Sequence, residues 1–579
     1  MNRITALWNP GLSMADFFRA PTIRALARML EQRETAREFG TSPRPGTPGR
    51  LPEATAEPAA SATEPAERNQ AVAPPEPATP ANDAVDPPEG DDADRDGAAE
   101  VVDRAPMPAT MRRLWLRHHQ REDASVYNVA QRIDLEGTLD PEDLRQALAG
   151  LVARHGALRS RAVRRAERLL VEELADVPVE LPITELTGGP QLADGPARPE
   201  TTDGSYPRPA DESAHGAADD ALDTVERWCR EQVAQVIAMD RAPLFRFRLA
   251  RRGPESWTLL TVWHHAICDG WSFGVLWRDL GELYRARVQG DAPRFAVPAG
   301  RFTEVARAES ERDAARGAEL EEFWRAELKG TTTVLALPCD RPRPPVLSGR
   351  GALCVGELDG DFGAQLAQAA RSLGATPYSV LAGAFAVWAA RRRSEATGRT
   401  PGEDLVLTVS NANRLGRDRE QVVGLVGDAV PLRAGFGGVE GFAELVRQLG
   451  GTLFSVLDHQ DLPLGEIVDL LEPGLPAALV PNVLFTVVTA PPQSVELAGL
   501  SSTVRTLPTA GVARTELYVV LAPHEQGLTV TFEYSTDLFS SATVESWSAE
   551  LIALLRRVAA DPELPLSELL RPATEYDQR

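Results

Sequence analysis

The strongest chemical signal in the sequence is a histidine pair followed by an aspartate and a glycine, in the string HHAICDG at residues 264–270. The preceding residues, WTLLTVW, predict a strand, and adjacent side chains on a strand point to opposite faces. One of His264 and His265 can therefore face a cavity while the other faces the packed interior. Two neighbouring histidines cannot easily share one metal ion, so the pattern favours a single imidazole that takes or gives a proton near neutral pH.

Asp269 and Gly270 have supporting roles in this string. The aspartate can fix the turn after the strand or pair with an arginine, and the glycine permits a tight approach of the backbone. A helix is predicted to begin near Ser272, because the apolar residues of FGVLWRDLGELY at 273–284 recur at helical spacing. The string is thus predicted to lie at a junction of strand, turn and helix.

Strands and helices alternate through the rest of the folded part, which predicts an α/β (α+β) fold. Residues 140–158 have helical spacing, with Asp140 as N-cap and Pro141 in the first turn. Strands are predicted at 245–250 and 257–265. In the second half we predict a buried helix, a strand and a late amphipathic helix, at 376–392, 404–410 and 545–561.

The composition narrows the function classes. The chain has 579 residues and a formal net charge of −23, which argues against nucleic acid as a main partner because phosphate binding needs a basic face. The four cysteines form no CxxC pair, so we expect neither a zinc site nor a disulfide framework, and a reducing compartment fits best. No run of about 18 apolar residues occurs, so no membrane span is expected. We therefore expect a cytoplasmic protein.

The domain organisation follows from changes in composition. Residues 34–104, rich in Pro, Ala, Glu and Asp, are predicted to form a disordered acidic linker, because they bury too little apolar surface to offset the entropy of ordering. Residues from about 187 to 220 are predicted to be a disordered insertion inside a folded domain. Two α/β halves of comparable size are expected after the linker.

Further strings around the histidine pair match a known family in the order of its motifs. HHAICDGWS resembles the active-site motif of condensation domains of nonribosomal peptide synthetases. RHGALRS resembles the second motif, with Gly156 where an acidic residue is usual. The other matching strings are MPATMRRLWL (107–116), VVGLVGDAVPLR (422–433), DHQDLPLGEIV (458–468) and PNVLFTVV (481–488). The resemblance covers about 105–575. The residues of RHGALRS and HHAICDGWS are more similar to those of domains that join an L-configured donor than to those of epimerisation domains.

The resemblance implies two chloramphenicol-acetyltransferase-like lobes in a V-shaped pseudo-dimer, with an active-site tunnel between them. The lobes would span 105–290 and 291–579. One peptidyl carrier protein would deliver an acyl thioester on its phosphopantetheine, and a second carrier, also in trans, would deliver the acceptor amine. The chain itself would bind no cofactor covalently and no metal, and its product would be an amide. No nucleic acid or membrane partner is implied.

The resemblance also implies roles for individual residues. His265, the second histidine of the motif, would be the catalytic residue, acting as a general base, as a positioner of the amine or as a stabiliser of developing charge. His264 and Asp269 would be structural supports. Asp269 is expected to pair with Arg154 or Arg159 of the second motif, and breaking such a buried pair from one side is costly.

The candidate substrate channel involves residues from distant parts of the sequence. Gly270 is implied to line the channel beside the catalytic histidine, and Trp271 and Ser272 are further candidates. Asp428 stands where the family usually has Asn, so its carboxylate either alters the choice of acceptor or faces solvent. The string VSNANR at 409–414 is unusual for the family and suggests a specialised channel floor.

Residues 1–33 resemble the last helices of a carrier domain, without the serine motif that carries phosphopantetheine. We interpret them either as a carrier remnant with a docking role or as the end of a longer chain. Three alternatives to amide formation stay open: ester formation with a hydroxyl acceptor, acyl transfer from coenzyme A, and a non-catalytic platform that recruits a tailoring oxygenase. The intact histidine pair and Asp-Gly argue against the platform.

Overall fold

The computed structural model describes residues 100–120, 124–186, 224–312, 314–344, 346–414, 417–475, 481–488, 493–507, 511–524 and 527–571. The carrier-like segment at 1–33 and the insertion at 187–220 lie outside the described residues. The predicted linker, 34–104, extends too far. Residues from Val101 onwards form a strand that pairs with a later strand. That pairing gives hydrogen-bond partners to the backbone N–H and C=O groups of these residues, and such a pairing cannot be inferred from composition alone.

The strands are β1 (Val101–Pro106), β2 (Asn128–Glu136), β3 (Ser160–Arg165), β4 (Arg168–Leu174), β5 (Ile183–Glu185), β6 (Phe245–Arg251), β7 (Ser256–His264), β8 (Gly351–Leu358), β9 (Leu405–Asn411), β10 (Asp428–Ala434), β11 (Val483–Val487), β12 (Ser501–Leu507), β13 (Leu517–His524) and β14 (Gly527–Ser535). The α-helices are α1 (Ala109–Gln120), α2 (Pro141–Arg154), α3 (Thr224–Val233), α4 (Gly270–Gln289), α5 (Phe302–Ser310), α6 (Ala314–Glu327), α7 (Phe362–Ser372), α8 (Pro377–Thr397), α9 (Arg417–Glu420), α10 (Phe442–Asp458), α11 (Leu464–Leu471), α12 (Ser541–Ala560) and α13 (Leu566–Leu569).

The first large sheet holds the histidine pair. Its strand order is β12-β2-β7-β6-β5, and β7 pairs antiparallel with both β2 and β6. The strands predicted at 245–250 and 257–265 are confirmed as β6 and β7, although β7 ends at His264. The helices α2 and α4 pack together, and Trp277 of α4 donates to the Gln131 side chain of β2 at 2.7 Å. This contact holds α4 against the sheet.

The predicted caps of α2 are confirmed. The Asp140 side chain accepts from the backbone N–H of Glu142 at 2.8 Å, and Pro141 occupies the first turn. Leu144 and Leu148 are fully buried, which explains the helical spacing of the apolar residues.

The second large sheet has the order β10-β9-β11-β13-β14-β8. The buried helix predicted at 376–392 is confirmed as α8, in which every residue from Ser379 to Arg393 is buried. The predicted strand at 404–410 and the late amphipathic helix are confirmed as β9 and α12. A smaller sheet has the order β1-β4-β3, and its strands β3 and β4 lie in the sequence between β2 and β5 of the first sheet.

Two segments of the second half pack with the first sheet. Strand β12 pairs antiparallel with β2, from Ser501 opposite Glu136 to Leu507 opposite Ala130. The apolar side chains of residues 422–426 also belong to the hydrophobic core that includes buried residues of β2, β6, β7 and α4. The division at about residue 290 stays a prediction. Strand β12 and residues 422–426 contact the part of the chain that holds the histidine pair.

No single helix among the described residues is long and apolar enough to cross a membrane. The pair α7 and α8 reaches that hydropathy only when the two helices are joined across a bend of 96°.

Candidate active site

The histidine pair lies where β7 ends. His264 is the last residue of the strand and is fully buried, whereas His265 begins a 3-10 turn that ends at Ile267 and is partly exposed. The two rings therefore have different environments, as the sequence predicts. The turn, and not the alternation of the strand, separates them.

The ring of His265 is held in one tautomer. Its Nδ1 lies 2.8 Å from the carbonyl oxygen of Cys268. A carbonyl only accepts, so Nδ1 carries the proton and Nε2 keeps its lone pair. Burial lowers the pKa of His265, and the positive charge of Arg514 lowers it further. The ring is therefore neutral at pH 7, and its Nε2 can accept a proton or a hydrogen bond.

The carboxylate of Asp269 ties this turn to the second half of the chain. It accepts from the backbone N–H groups of Val426 and Gly427 at 3.1 and 2.8 Å, and from Ser272 N at 3.0 Å. Arg414 donates to both carboxylate oxygens, at 2.9 and 3.1 Å, from a side chain that is only 2% exposed. Arg414 is thus the buried ionic partner of Asp269.

The predicted pairing of Asp269 with Arg154 or Arg159 is wrong. Arg154 Nε donates to Asp279 at 2.7 Å, and Arg159 Nη2 donates to Glu173 at 2.7 Å. Asp279 follows Asp269 by ten residues on α4, which is about 15 Å along a helix that rises 1.5 Å per residue. The end of α2 therefore meets the middle of α4 and not its first turn.

Glu173 also explains how the chain tolerates glycine in the second motif. A Cβ at Gly156 would lie 2.5 Å from the Glu173 carboxylate. That carboxylate, which accepts from Arg159, fills the space that a side chain at 156 would need. An acidic group thus lies beside the arginine although residue 156 itself supplies none.

The three residues after Asp269 have different environments. Gly270 is exposed, and a Cβ built there would meet no atom within 4 Å, so open space adjoins it. Trp271 is 45% exposed and donates from its indole to the carbonyl of Glu420 at 3.0 Å. Ser272 is fully buried and forms a capping box with Asp269 at the start of α4. The interpretation of Ser272 as a channel residue is therefore wrong.

Within the part of the chain that the structure describes, no three His, Cys, Asp or Glu side chains come together as metal ligands. The cysteines Cys229, Cys268, Cys339 and Cys354 are free thiols, and burial raises the pKa of the Cys268 thiol well above its usual value. The chemistry available around the turn is thus that of the neutral His265 ring.

A family model of the condensation domain matches residues 210–578. The chain belongs to the condensation domain family. It is 30% identical over 477 residues to the probable non-canonical nonribosomal peptide synthetase CymA of Salinispora arenicola, covering 80% of this chain and 6% of that protein. It thus spans less than a tenth of the length of this relative. The family is an acyltransferase-like class of enzyme.

Solved structures show the same architecture. The X-domain from teicoplanin biosynthesis, solved with OxyB, aligns with a TM-score of 0.64 and 26% identity, covering 82% of this chain and 98% of that one. The first condensation domain of the CDA synthetase aligns with a TM-score of 0.61 and 21% identity, covering 81% and 99%. The predicted fold class is confirmed, a mixed α and β fold of the condensation-domain type.

Asp428 is held by two segments that lie far apart in the sequence. Its Oδ1 accepts from Arg113 of α1 at 2.8 Å, and its Oδ2 accepts from the backbone N–H of Leu464 at the start of α11 at 3.2 Å. Its side chain is 10% exposed, so the carboxylate does not face open solvent. A cavity of about 190 Å³ adjoins it, with Glu309 and Val426 also in the wall.

Sequence reasoning missed three residues of this site. Arg414 is the last residue of the string VSNANR, for which the sequence suggests only a channel floor. Arg514 and His118 gave no pattern in the sequence. His118 Nδ1 lies 3.2 Å from His264 Nε2, and the arginine acts on the charge of His265. Both come to the histidine pair only through the tertiary fold.

Proposed function

We propose that this condensation domain joins a carrier-bound acyl or aminoacyl thioester to an amine acceptor, forming an amide. The observation that carries the proposal is the state of His265, a partly exposed residue whose neutral ring has an unprotonated Nε2. Open space adjoins Gly270, the first residue of α4 and five residues after His265, and we propose that the substrate passes there. Nε2 of His265 would accept a proton from the acceptor amine, and the open space at Gly270 would leave room for that amine.

In the proposed reaction the amine nitrogen attacks the thioester carbonyl carbon. Nε2 of His265 accepts a proton from that nitrogen as the C–N bond forms, and the carbonyl electrons move to oxygen. The tetrahedral intermediate then expels the carrier thiolate, which receives the proton held on Nε2 as the C–S bond breaks, so that the ring is neutral again. The tautomer favours a role in which Nε2 accepts from the amine, as base or positioner, over direct stabilisation of the oxyanion, because a neutral ring offers no N–H at Nε2.

The remaining site residues are proposed to support this ring. Asp269, through Arg414, holds the turn against the second half of the domain. Gly270 and Trp271 are proposed to line the channel, because both are exposed beside the turn. His264 is proposed to be structural, since no part of its ring is exposed.

The partners are proposed from the family. Donor and acceptor would arrive on the phosphopantetheine arms of peptidyl carrier proteins in trans, and the chain would hold no cofactor of its own. The two lobes at 105–290 and 291–579, the docking role of residues 1–33 and the cytoplasmic location stay predictions. Ester formation, transfer from coenzyme A and the platform role are not favoured, because the relatives are peptide synthetases and the histidine pair is intact.

The test uses one donor with several acceptors. A carrier loaded with an aminoacyl thioester is mixed with the full chain and an amine, an alcohol or a carrier-bound amine, and products are followed by mass spectrometry. We expect amide from the amine acceptors. Ester alone, or product only when a coenzyme A thioester replaces the loaded carrier, would overturn the proposal in favour of the corresponding alternative.

A further inference from the structure

We propose that His118 is a positioning residue: it accepts a hydrogen bond from His264 and so holds the turn that presents His265. The importance of that turn rests on the proposed function. The hydrogen bonds that carry the inference do not depend on it.

The contact is buried and well directed. His118, near the end of α1, is 9% exposed, and His264 is fully buried. His118 Nδ1 lies 3.2 Å from His264 Nε2, and the two rings meet edge to face at 65° with centroids 5.2 Å apart. The ring of Tyr127 packs against both histidine rings, with its centroid 6.3 Å from that of His118 and 6.2 Å from that of His264.

The direction of each hydrogen bond follows from the backbone. The N–H of Ala266 lies 3.1 Å from His264 Nδ1. A backbone N–H only donates, so this Nδ1 has no proton, and the single proton of the neutral ring lies on Nε2. His264 therefore donates to His118 Nδ1. The chain of bonds runs from Ala266 through His264 to His118.

Both rings are neutral, as this chain of bonds requires. Burial lowers the pKa of His118 to about 4, with a further lowering by His119 and an opposing effect of Asp240. Burial also holds the pKa of His264 well below its ordinary value, and the neighbouring histidines His118 and His265 add to this. Near pH 7 the donor and the acceptor are thus both in place.

The consequence reaches His265 through the turn. Ala266 is the middle residue of the 3-10 turn that begins at His265, and its N–H is anchored on His264. If residue 118 offers no acceptor, the Nε2–H of His264 is buried without a partner, which is costly. The ring can avoid that cost by moving its proton to Nδ1. It then releases Ala266, and the turn loses its anchor.

The tautomers give a direct test. We would label the full chain with 15N-histidine and assign the ring nitrogens of His264 and His265 from variants at each position. In the parent protein we expect the proton of His264 on Nε2 and that of His265 on Nδ1, so that adjacent histidines have opposite tautomers. The other tautomer at His264 would overturn the inference, whether or not the protein transfers acyl groups.

Matched substitutions separate positioning from packing. In His118→Asn the amide oxygen takes the place of Nδ1 and can accept from His264, whereas in His118→Gln the amide lies further out, and in His118→Leu no acceptor exists. We expect about a tenfold loss in the rate of single-turnover acyl transfer for Leu and Gln, with unchanged KM for the acceptor, and recovery to within about threefold for Asn.

If His118→Leu does not fold, the comparison of His118→Asn with His118→Gln still tests whether residue 118 must offer a hydrogen-bond acceptor to His264. Equal rates in folded Asn and Gln variants, or a parent-like rate in the folded Leu variant, would overturn the inference. A parent protein that shows the expected tautomers but transfers no acyl group would sink the proposed function and leave the positioning contact standing.

Discussion

Removing one partner of the Asp269–Arg414 pair should cost about 3–5 kcal/mol of unfolding free energy, the range for a broken buried ion pair. The side chains are 9% and 2% exposed, so neither charge can recover its hydration in the folded protein. In Arg414→Met the carboxylate still accepts from the N–H groups of Ser272, Val426 and Gly427, which places this variant near the lower end, at about 3 kcal/mol.

The assay is a double-mutant cycle in urea, followed by tryptophan fluorescence. The parent, Arg414→Met, Asp269→Asn and the double variant give the coupling between the two side chains, which for groups in contact is about 0.5–3 kcal/mol. The control cycle combines Asp269→Asn with Arg159→Met. Arg159 is partly buried, with 11% of its side chain exposed, and is paired with Glu173, so its loss is also destabilising, but the two effects should add to within about 0.5 kcal/mol.

The two cycles decide between partners. A coupling below about 0.5 kcal/mol for Asp269 with Arg414, or one of more than about 1 kcal/mol for Asp269 with Arg159, would refute the assignment of Arg414 as the ionic partner.

Three further substitutions test the surroundings of the turn. Gly270→Leu should lower kcat/KM about tenfold or more by narrowing the channel while the unfolding free energy changes by less than about 0.5 kcal/mol, and an active variant would place the channel elsewhere. Ser272→Ala should cost about 0.5–2 kcal/mol of stability through loss of the capping box, with unchanged KM for both substrates; a raised KM would return Ser272 to the channel. Arg514→Gln removes the positive charge that lowers the pKa of His265, so that pKa rises and the acid limb of kcat/KM should move to higher pH. An acid limb that stays in place, or moves to lower pH, would show that Arg514 does not act on the ring.

The elements that carry the site follow from local sequence. The strand before the histidine pair, the cap of α2 at Asp140 and the buried helix α8 each depend on a run of neighbouring residues, and all three are present. The spacing of the histidine pair, the aspartate and the glycine predicts the site, because a strand end and a helix start are local features.

The contacts between distant segments could not be predicted. Arg414 lies 145 residues after Asp269, and several arginines could reach a carboxylate at that turn until the helices are placed. The same holds for His118, which lies 146 residues before His264. The predicted linker, 34–104, covers the first four residues of β1, because six residues beside an acidic stretch have no pattern of their own. The pairing of β1 with β4 exists only in the folded chain.

The role of His265 is tested most directly by single-turnover transfer from a loaded carrier to an amine at neutral pH. We would compare the parent, His265→Ala and the control His524→Ala, which replaces a partly exposed histidine at the end of β13. The expected result is a loss of about 10²–10⁴-fold in amide formation for His265→Ala, with parent-like unfolding, and a parent-like rate for the control. Amide formation at the parent rate by folded His265→Ala would contradict it.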